Sequence, residues 1–355
     1  MATAILSLIA VLLMFLGGLL DGLIGNATGA YRAQHADLIV YSANAQDSLA
    51  RSRIAADTRD RVEQRLKSAV VGGLGAVSLA GRVDGRGPRD LLAVNLYGYE
   101  LAPIGLPTEP PGPGKGYADE SLRSDDVTVG TIVRLGPAET PVTILGFVDS
   151  RENSSAAALW TSLDTWREAL GANLPGQRVG SDVVQALVIR FSQDGPAPTA
   201  TDIDGATGQA ARTLTLTQAI NAIPGVSAQR STFNQILGVT VSIAVVVVAL
   251  FFALLTVERM GLYGVLKAVG ARSRTLFAGL VLQSLAVTAV ASTVAVLAAL
   301  LFAYLIPAGS ITFSLGPARL LGSVAVLLVA AVIGCAFSFR RVLRVDPAAA
   351  IGGSQ

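Results

Sequence analysis

The stretch that decides the fold is residues 237–257, LGVTVSIAVVVVALFFALLTV, which carries no charge and is followed at once by Glu258 and Arg259. A helix rises about 1.5 Å per residue, so about 20 apolar residues are needed to cross about 30 Å of hydrocarbon. This run is long enough, and its abrupt end at two charged residues is typical of a membrane span. The sequence therefore predicts a transmembrane helix, which we place at residues 234–257.

Three further segments meet the same condition. We place these spans at residues 1–24, 275–305 and 319–339. The first carries no charge before Asp21, and the last stops at Arg340. From residue 275 to residue 318 the chain runs for 44 residues without a charge, which is too long for one span. We therefore expect a short external loop at residues 306–318.

The first span has an alternative interpretation as a cleaved secretory signal. A signal peptide carries basic residues before its apolar core. No Lys or Arg precedes Arg32, so a retained span is favoured. Because the chain opens directly in the apolar run, we expect that a short basic cytoplasmic leader is missing from it.

The composition excludes several classes of protein. Hydrophobic residues make up 52% of the 355 positions and charged residues only 15%, whereas soluble domains carry about a quarter. One cysteine and one histidine exclude a disulfide scaffold, a Cys/His metal centre and a Ser-His-Asp triad. A net charge of +2 gives no sign of nucleic-acid binding. We therefore expect no catalytic residue and no metal site in this chain. The nearest approach to a phosphate loop, GPGKG at residues 112–116, does not fit the pattern G-x-x-x-x-G-K-[ST], so we also expect no nucleotide site.

Basic residues predict the orientation of the spans. From residue 237 onward there are eight basic and two acidic side chains, and most of the basic ones lie at residues 258–274 and in the tail at residues 340–355. Lys and Arg near span ends favour the cytoplasmic side. Both segments are therefore expected inside, which leaves residues 25–233 outside and both chain termini inside.

The external segment is long enough to bury a core of its own, and its patterning predicts an α+β domain. Alternation of apolar and polar residues predicts strands at residues 76–83, 91–97, 128–135, 142–148 and 183–191. Helical spacing predicts helices at residues 58–66, 162–170 and 214–223. Asp57 is the expected N-cap of the first helix, and residues 193–208 read as a linker rich in Gly, Pro and Thr. The fold class is thus one span, a large α+β domain and three more spans.

The loop at residues 258–274 has the pattern of a short amphipathic helix. Leu262, Val265, Leu266 and Val269 are spaced i, i+3, i+4 and i+7, which gives one apolar stripe. Such a helix can lie in the inner interface with its stripe against the spans, and its other side can then dock into a soluble partner. A plain connector with basic ends is the alternative that this pattern leaves open.

The motifs around this loop resemble those of a known family. They are the pair Glu258-Arg259, the segment GVLKAVGA at residues 264–271, and the tail RVDPAAAI at residues 344–351. Together with the arrangement of one span, an external domain and three spans, they resemble the FtsX/MacB-type permeases of ABC transporters. The resemblance covers the whole chain in topology, although the basic cytoplasmic segment that this family has before its first span is absent here.

The resemblance implies a partner and a mechanism. Two permease chains would associate with two separate ABC ATPase subunits, which would bind ATP and Mg²⁺, whereas the permease needs no cofactor of its own. Closure of the ATPases would tilt the spans and extrude a substrate from the outer leaflet or the external space by mechanical transmission. The loop would be the coupling helix, and the residues expected to couple it to the ATPase are Glu258, Arg259, Gly261, Tyr263, Gly264, Val265, Lys267 and Gly270.

Glycines at the end of the first span are candidates for a homodimer seam. Gly18 and Gly22 are four residues apart, and Gly25 follows within a turn. Small residues at this spacing let two helices approach closely. Packing against the spans of the same chain is the alternative explanation.

A shorter resemblance concerns the substrate. Residues 36–40 and 44–50 look similar to bacterial haem-efflux permeases. Tyr31 and His35 are four residues apart just beyond the first span, so on a continuing helix they share a face and are candidate ligands of a transported haem. An ordinary surface position is the alternative for His35, and a peptide, a lipid or a lipoprotein is the alternative substrate.

The resulting prediction is a permease subunit of an ABC exporter in a bacterial plasma membrane, in contact with membrane lipid. A signalling or scaffold protein that relays ATPase motion to an external partner, such as a cell-wall hydrolase, is the alternative. A membrane enzyme is a third class, and it would need activity from this chain alone.

Overall fold

The computed structural model describes residues 2–85, 87, 90–148, 157–191, 198–258, 269, 273–305 and 313–342. The chain divides into two compact units. The membrane unit consists of Met1–Leu23 and Gln229–Gln355, and the sheet domain consists of Ile24–Ala228.

The described α-helices are α1 (Ala2–Ala33), α2 (Ala56–Arg65), α3 (Leu163–Asn173), α4 (Ala200–Ala206), α5 (Leu216–Ala222), α6 (Val226–Glu258), α7 (Ser273–Leu305) and α8 (Pro317–Val342). The described strands are β1 (Leu38–Ser42), β2 (Ala69–Val83), β3 (Leu91–Tyr99), β4 (Lys115–Asp119), β5 (Ile132–Leu135), β6 (Thr140–Val148), β7 (Ala158–Ser162), β8 (Ala186–Phe191) and β9 (Ala211–Thr215).

Four helices contain segments that are long and apolar enough to cross a membrane. These segments are Thr3–Gly25 in α1, Val226–Phe251 in α6, Ala278–Leu305 in α7 and Pro317–Ala336 in α8. Strands and short helices fill the chain between the first two. The predicted fold class, one span and three spans around an α+β domain, is therefore confirmed.

The helices of the membrane unit meet through small residues. Ser284 of α7 is fully buried, and its hydroxyl lies 3.4 Å from the carbonyl oxygen of Ala331 in α8. At Gly334 of α8, an added Cβ would lie only 2.9 Å from Val248 of α6, so a larger side chain would push these helices apart. Small side chains on facing helices let the backbones approach, which is how helices associate inside a bilayer.

The strands of the sheet domain close into a ring because β2 is long enough to pair on both sides. The ring runs β2–β3–β7–β4–β6–β5 and returns to β2. The first half of β2 also pairs with β8, which continues the sheet through β1 to β9. One core packs the ring strands together with α2, α3 and α4, and a second core packs residues of β1, β7, β8 and β9 against the last turns of α1.

A glycine pair positions the largest residue of the first core. Gly75 of β2 lies opposite Gly98 of β3, and Trp166 of α3 packs over both. A Cβ at Gly98 would lie 2.6 Å from the Cβ of Trp166, so both strand positions must lack a side chain. The indole is fully buried in the slot that this pair creates.

Several sequence predictions about this domain were wrong in detail. The first short helix begins at Ala56, so Asp57 lies inside its first turn, and no side chain caps the helix. The expected linker at residues 193–208 contains α4, which Thr199 and Asp202 cap reciprocally. Leu214 lies in β9, so the last short helix of the domain begins only at Leu216. The reciprocal cap explains the helix in the expected linker, and pairing of Leu214 with Ile39 explains the late start of the last short helix.

Candidate functional site

The expected coupling segment is described only at its edges. Helix α6 ends at Glu258, the first of the predicted coupling residues. The others, which lie outside the described residues, are Arg259, Gly261, Tyr263, Gly264, Val265, Lys267 and Gly270. Val269 is described and is 83% exposed, so this member of the predicted stripe does not pack against the spans.

The glycines proposed for a dimer seam fall in different environments. At Gly18 an added Cβ would lie 2.6 Å from the ring of Phe313, and the Gly18 carbonyl accepts a hydrogen bond from the Ser314 N–H at 3.1 Å. Gly18 therefore packs against its own chain, which was the alternative explanation. Gly22 is buried, and no described atom would lie within 4 Å of a Cβ at Gly25. For these two glycines the seam stays a prediction.

An ion pair joins α1 to the first turn of α8. The Nε–H of Arg319 donates to Asp21 Oδ2 at 2.7 Å, and its Nη2 donates to the other carboxylate oxygen. Both side chains are about one-third exposed. Gly17 makes room for this arrangement, because a Cβ there would lie 3.1 Å from the Arg319 Cδ. We call this pair the α1–α8 clasp.

Sequence reasoning missed the clasp. It treated Asp21 as a charge at a span end and Arg319 as the first charge after a long apolar run. The sequence did contain an indication of this pair, since Asp21 and Arg319 are isolated charges beside spans and have opposite signs. Opposite charges at the ends of two apolar spans can stabilise each other, so two such residues are candidates for a pair.

The sheet domain contains a cavity of about 320 Å³. It lies between the last turns of α1, the turn at residues 47–50, the hairpin of β2 and β3, and the turn that precedes α6. Its lining residues are Ala27, Tyr31, Asp47, Ser48, Leu49, Ala50, Ala76, Val77, Ser78, Asn95, Tyr97, Ile223 and Pro224. Ala27 and Pro224 adjoin the first two spans in sequence, so we call this the span-proximal cavity.

The walls of the span-proximal cavity combine aromatic, apolar and polar groups. Tyr97 stacks on Trp160 with ring centroids 4.7 Å apart, which gives one wall a rigid aromatic surface. Asp47 contributes a carboxylate whose Oδ1 lies 3.5 Å from Arg212. Such a mixture suits a ligand with a flat apolar body and a polar edge.

The two candidate ligands from the sequence are separated by the end of α1. Tyr31 is buried and lines the cavity, whereas His35 is exposed and is absent from its walls. The helix ends at Ala33, and His35 has a φ of 42°, so the expectation that both share a helical face is wrong. Both positions as haem ligands stay predictions.

Burial controls the protonation of the tyrosines here. Removal from water raises the pKa of the Tyr31 phenol above its ordinary value, despite the opposing effect of Tyr41. The pKa of Tyr41 is also raised, chiefly by burial and further by Tyr31. Both phenols are therefore neutral at physiological pH. Tyr31 can offer an O–H and a ring face to a ligand, but a phenolate is disfavoured.

In the described part of the chain, no group of three or more His, Cys, Asp or Glu side chains is placed to hold a metal ion. The described residues thus provide a ligand-sized cavity in the sheet domain and, separately, a charged clasp in the membrane unit.

The class of protein follows from the four apolar helices and from a family match. Residues 234–347 match the family described as "FtsX-like permease C-terminal". The resemblance of this chain to FtsX/MacB-type permeases of ABC transporters is therefore confirmed.

Curated relatives match a stretch of 113 residues of the chain. A Staphylococcus haemolyticus protein that carries the name hemin transport system permease protein HrtB is 33% identical over 113 residues. Two Staphylococcus epidermidis proteins with that name are 28% identical over 113 residues. The match covers 32% of this chain and 32% of each relative, so it spans about a third of their length.

Two solved structures are similar over about half of the chain. The periplasmic region of MacB from Actinobacillus actinomycetemcomitans covers 53% of this chain and 92% of its own, at 12% identity and a TM-score of 0.36. The extracellular domain of the noncanonic ABC-type transporter YknZ from Gram-positive bacteria covers 50% of this chain and 99% of its own, at 10% identity and a TM-score of 0.35.

Proposed function

We propose that this chain is the permease subunit of an ATP-driven exporter, which works as a homodimer with two copies of a separate ATPase. The observation that carries the proposal is the family match over residues 234–347, because it includes the whole expected coupling segment and the two spans that follow it. ATP binding would move that segment, and the spans would transmit the motion to the sheet domain.

The proposed orientation places the sheet domain outside the bacterial plasma membrane and both termini inside. The support is the distribution of basic residues, since Lys267, Arg272 and Arg274 follow the second span and Arg340, Arg341 and Arg344 follow the last. In this orientation the span-proximal cavity belongs to the external part of the chain, and Ala27 and Pro224 of its lining lie next to the first two spans in sequence.

The proposed substrate is a hydrophobic or amphipathic molecule, and haem is the first to test. The HrtB relatives carry a name that refers to hemin transport, and the cavity presents a flat aromatic wall beside Tyr31. Because burial keeps the Tyr31 phenol protonated, we propose that Tyr31 holds the substrate through its ring and O–H group. Haem is then cargo, and the permease keeps no cofactor.

ATPase coupling is tested by co-purification from native membranes and by ATP hydrolysis of the reconstituted complex. Lys267→Glu reverses a charge in the coupling segment, and we expect loss of ATPase association or of substrate-stimulated hydrolysis. Lys67→Glu is the matched control, because it makes the same change at an exposed position of the sheet domain. If no ATPase co-purifies with the unmodified chain, the exporter proposal fails.

The substrate is tested by titrating hemin into the purified chain and recording Soret absorbance. We expect Tyr31→Ala to weaken binding and Tyr31→Phe to retain most of it, with His35→Ala unchanged. An ATPase complex without a Soret band would retain the exporter and exclude haem. ATP-dependent motion with no transport of any tested amphiphile would instead favour a relay to an external protein.

A further inference from the structure

The membrane unit contains a second cavity, of about 480 Å³, between α1, α6 and α8. Its lining residues are Leu13, Asp21, Leu237, Val241, Ala318, Arg319, Gly322, Ser323 and Val326. Most of this surface is aliphatic, and the α1–α8 clasp forms its polar end. We call it the clasp cavity.

The lining residues of α8 lie on one helical face in a definite order. Arg319, Ser323 and Val326 are spaced i, i+4 and i+7, so a cation, a hydroxyl and an apolar side chain follow one another away from the start of the helix. Four residues of helix separate Arg319 from Ser323 by about 6 Å. The cavity is therefore charged at one end, polar in its middle and apolar beyond.

The charged end retains capacity to bind an anion. A guanidinium has five N–H donors, and hydrogen bonds within the described part of the chain use only the Nε–H and one Nη2–H of Arg319, both toward Asp21. Arg319 also lies in the first turn of α8, where the helix dipole favours negative charge.

The polar middle of the cavity is formed by a serine. Ser323 is 7% exposed and lines the cavity. A serine hydroxyl has one O–H donor and can turn it toward an acceptor. An occupant that brings a carbonyl oxygen to this position would accept a hydrogen bond from it.

We propose that the clasp cavity binds one phospholipid molecule. Its phosphate would contact Arg319, an ester carbonyl would accept from the Ser323 hydroxyl, and an acyl chain would follow Val326, Leu237 and Val241. This is the order of charged, polar and apolar groups along a phospholipid. The site lies in the membrane unit and depends on neither haem nor the span-proximal cavity.

The test uses native mass spectrometry of the full chain in detergent micelles, with palmitoyl-oleoyl phosphatidylglycerol as the probe. We expect one retained lipid per chain. Diacylglycerol with the same chains lacks the phosphate and should be retained roughly tenfold less, because a hydrogen bond to a charged group is lost. Glycerol 3-phosphate should not compete with phosphatidylglycerol for the cavity, since it lacks the acyl chains.

Gly322→Leu tests the cavity itself. No described atom would lie within 4 Å of a Cβ at Gly322, so a leucine can enter the cavity without a backbone clash. Gly279→Leu is the matched control, because Gly279 is an exposed helical glycine of α7 with equally open surroundings. We expect roughly tenfold weaker retention in Gly322→Leu than in Gly279→Leu, and thermal unfolding of both variants verifies that they fold.

Arg319→Gln distinguishes the contribution of the lipid headgroup to binding from the contribution of the acyl chains. We expect it to abolish the preference for phosphatidylglycerol over diacylglycerol while some retention of both remains. Equal retention in Gly322→Leu and the unmodified chain would overturn the proposal, and so would equal retention of the two lipids by the unmodified chain. A change from dimer to monomer in Gly322→Leu without loss of lipid would also overturn it, and would assign this face to a second copy.

Discussion

The sheet domain and the membrane unit of this chain follow opposite rules of burial. In the sheet domain the largest apolar side chains are inside, and Trp166 and Leu96 are fully buried. In the membrane unit many large apolar side chains point outward, and Leu250 and Leu297 are 62% and 63% exposed. Its buried positions instead include small residues such as Ser284.

The difference reflects two solvents. Water drives apolar surface into the sheet domain, at roughly 25 cal/mol per Å² buried. Hydrocarbon tails are as apolar as leucine, so helices inside a bilayer gain nothing by hiding Leu297 and instead associate through close packing and polar contacts. The comparison teaches that the same residue type has a different energetic role in each unit, which substitutions can test.

The largest expected effect is the loss of the buried indole. Trp166→Ala should lower the free energy of unfolding by about 3–5 kcal/mol, because it leaves a cavity above the Gly75–Gly98 pair. Leu297→Ala, at an exposed position of α7, should change it by less than about 0.5 kcal/mol in a lipid-like environment. Denaturant unfolding of the full chain in detergent, followed by circular dichroism, measures both.

If the two substitutions proved equally destabilising, α7 would bury Leu297 against another protein chain, and the contrast between the two units would not hold there.

An intermediate effect is expected from the ion pairs. A double-mutant cycle with Asp21→Asn and Arg319→Gln should give a coupling energy of about 1–2 kcal/mol, since the pair has two hydrogen bonds and limited exposure to water. The same cycle with Glu120→Gln and Arg123→Gln should give less than about 0.5 kcal/mol. That pair is separated by 2.9 Å, but its side chains are 45% and 53% exposed. Equal coupling energies would show that the clasp is as well solvated as a surface pair.

The smallest effect concerns acid stability of the sheet domain. Burial alone would raise the pKa of Glu100, but hydrogen bonds from Arg59 and from the Gly73 N–H outweigh it and hold the pKa below its ordinary value. A carboxylate with a depressed pKa stabilises the fold above its unfolded pKa, near 4.3, and that contribution is lost as the pH falls through the folded pKa.

Glu100→Gln should therefore be less stable than the unmodified chain at pH 7, and the difference should shrink below about pH 4. Thermal unfolding across pH 3–7 measures it. A difference that stays constant over this range would mean that the carboxylate charge has no role.

The sequence predicted the spans well and the sheet domain only in outline. An apolar run is a local property, so residues 237–257 indicated a membrane helix without any knowledge of its neighbours. The strands β1, β4, β7 and β9 were missed because each is short and is stabilised by strands distant in sequence. The end of α1 at Ala33, which separates Tyr31 from His35, could not be read from their spacing.

The sequence by itself thus determined the four apolar helices and the resemblance to FtsX/MacB-type permeases, because apolar runs and short motifs are contiguous stretches. Tertiary structure alone decided that Gly18 packs against its own chain, that Tyr31 lines a cavity, and that Asp21 pairs with Arg319 across 298 positions of sequence. The physical reason is the distance along the sequence over which each property depends on other residues. Hydropathy acts on neighbouring residues, whereas a cavity or an ion pair exists only once distant segments have been brought together.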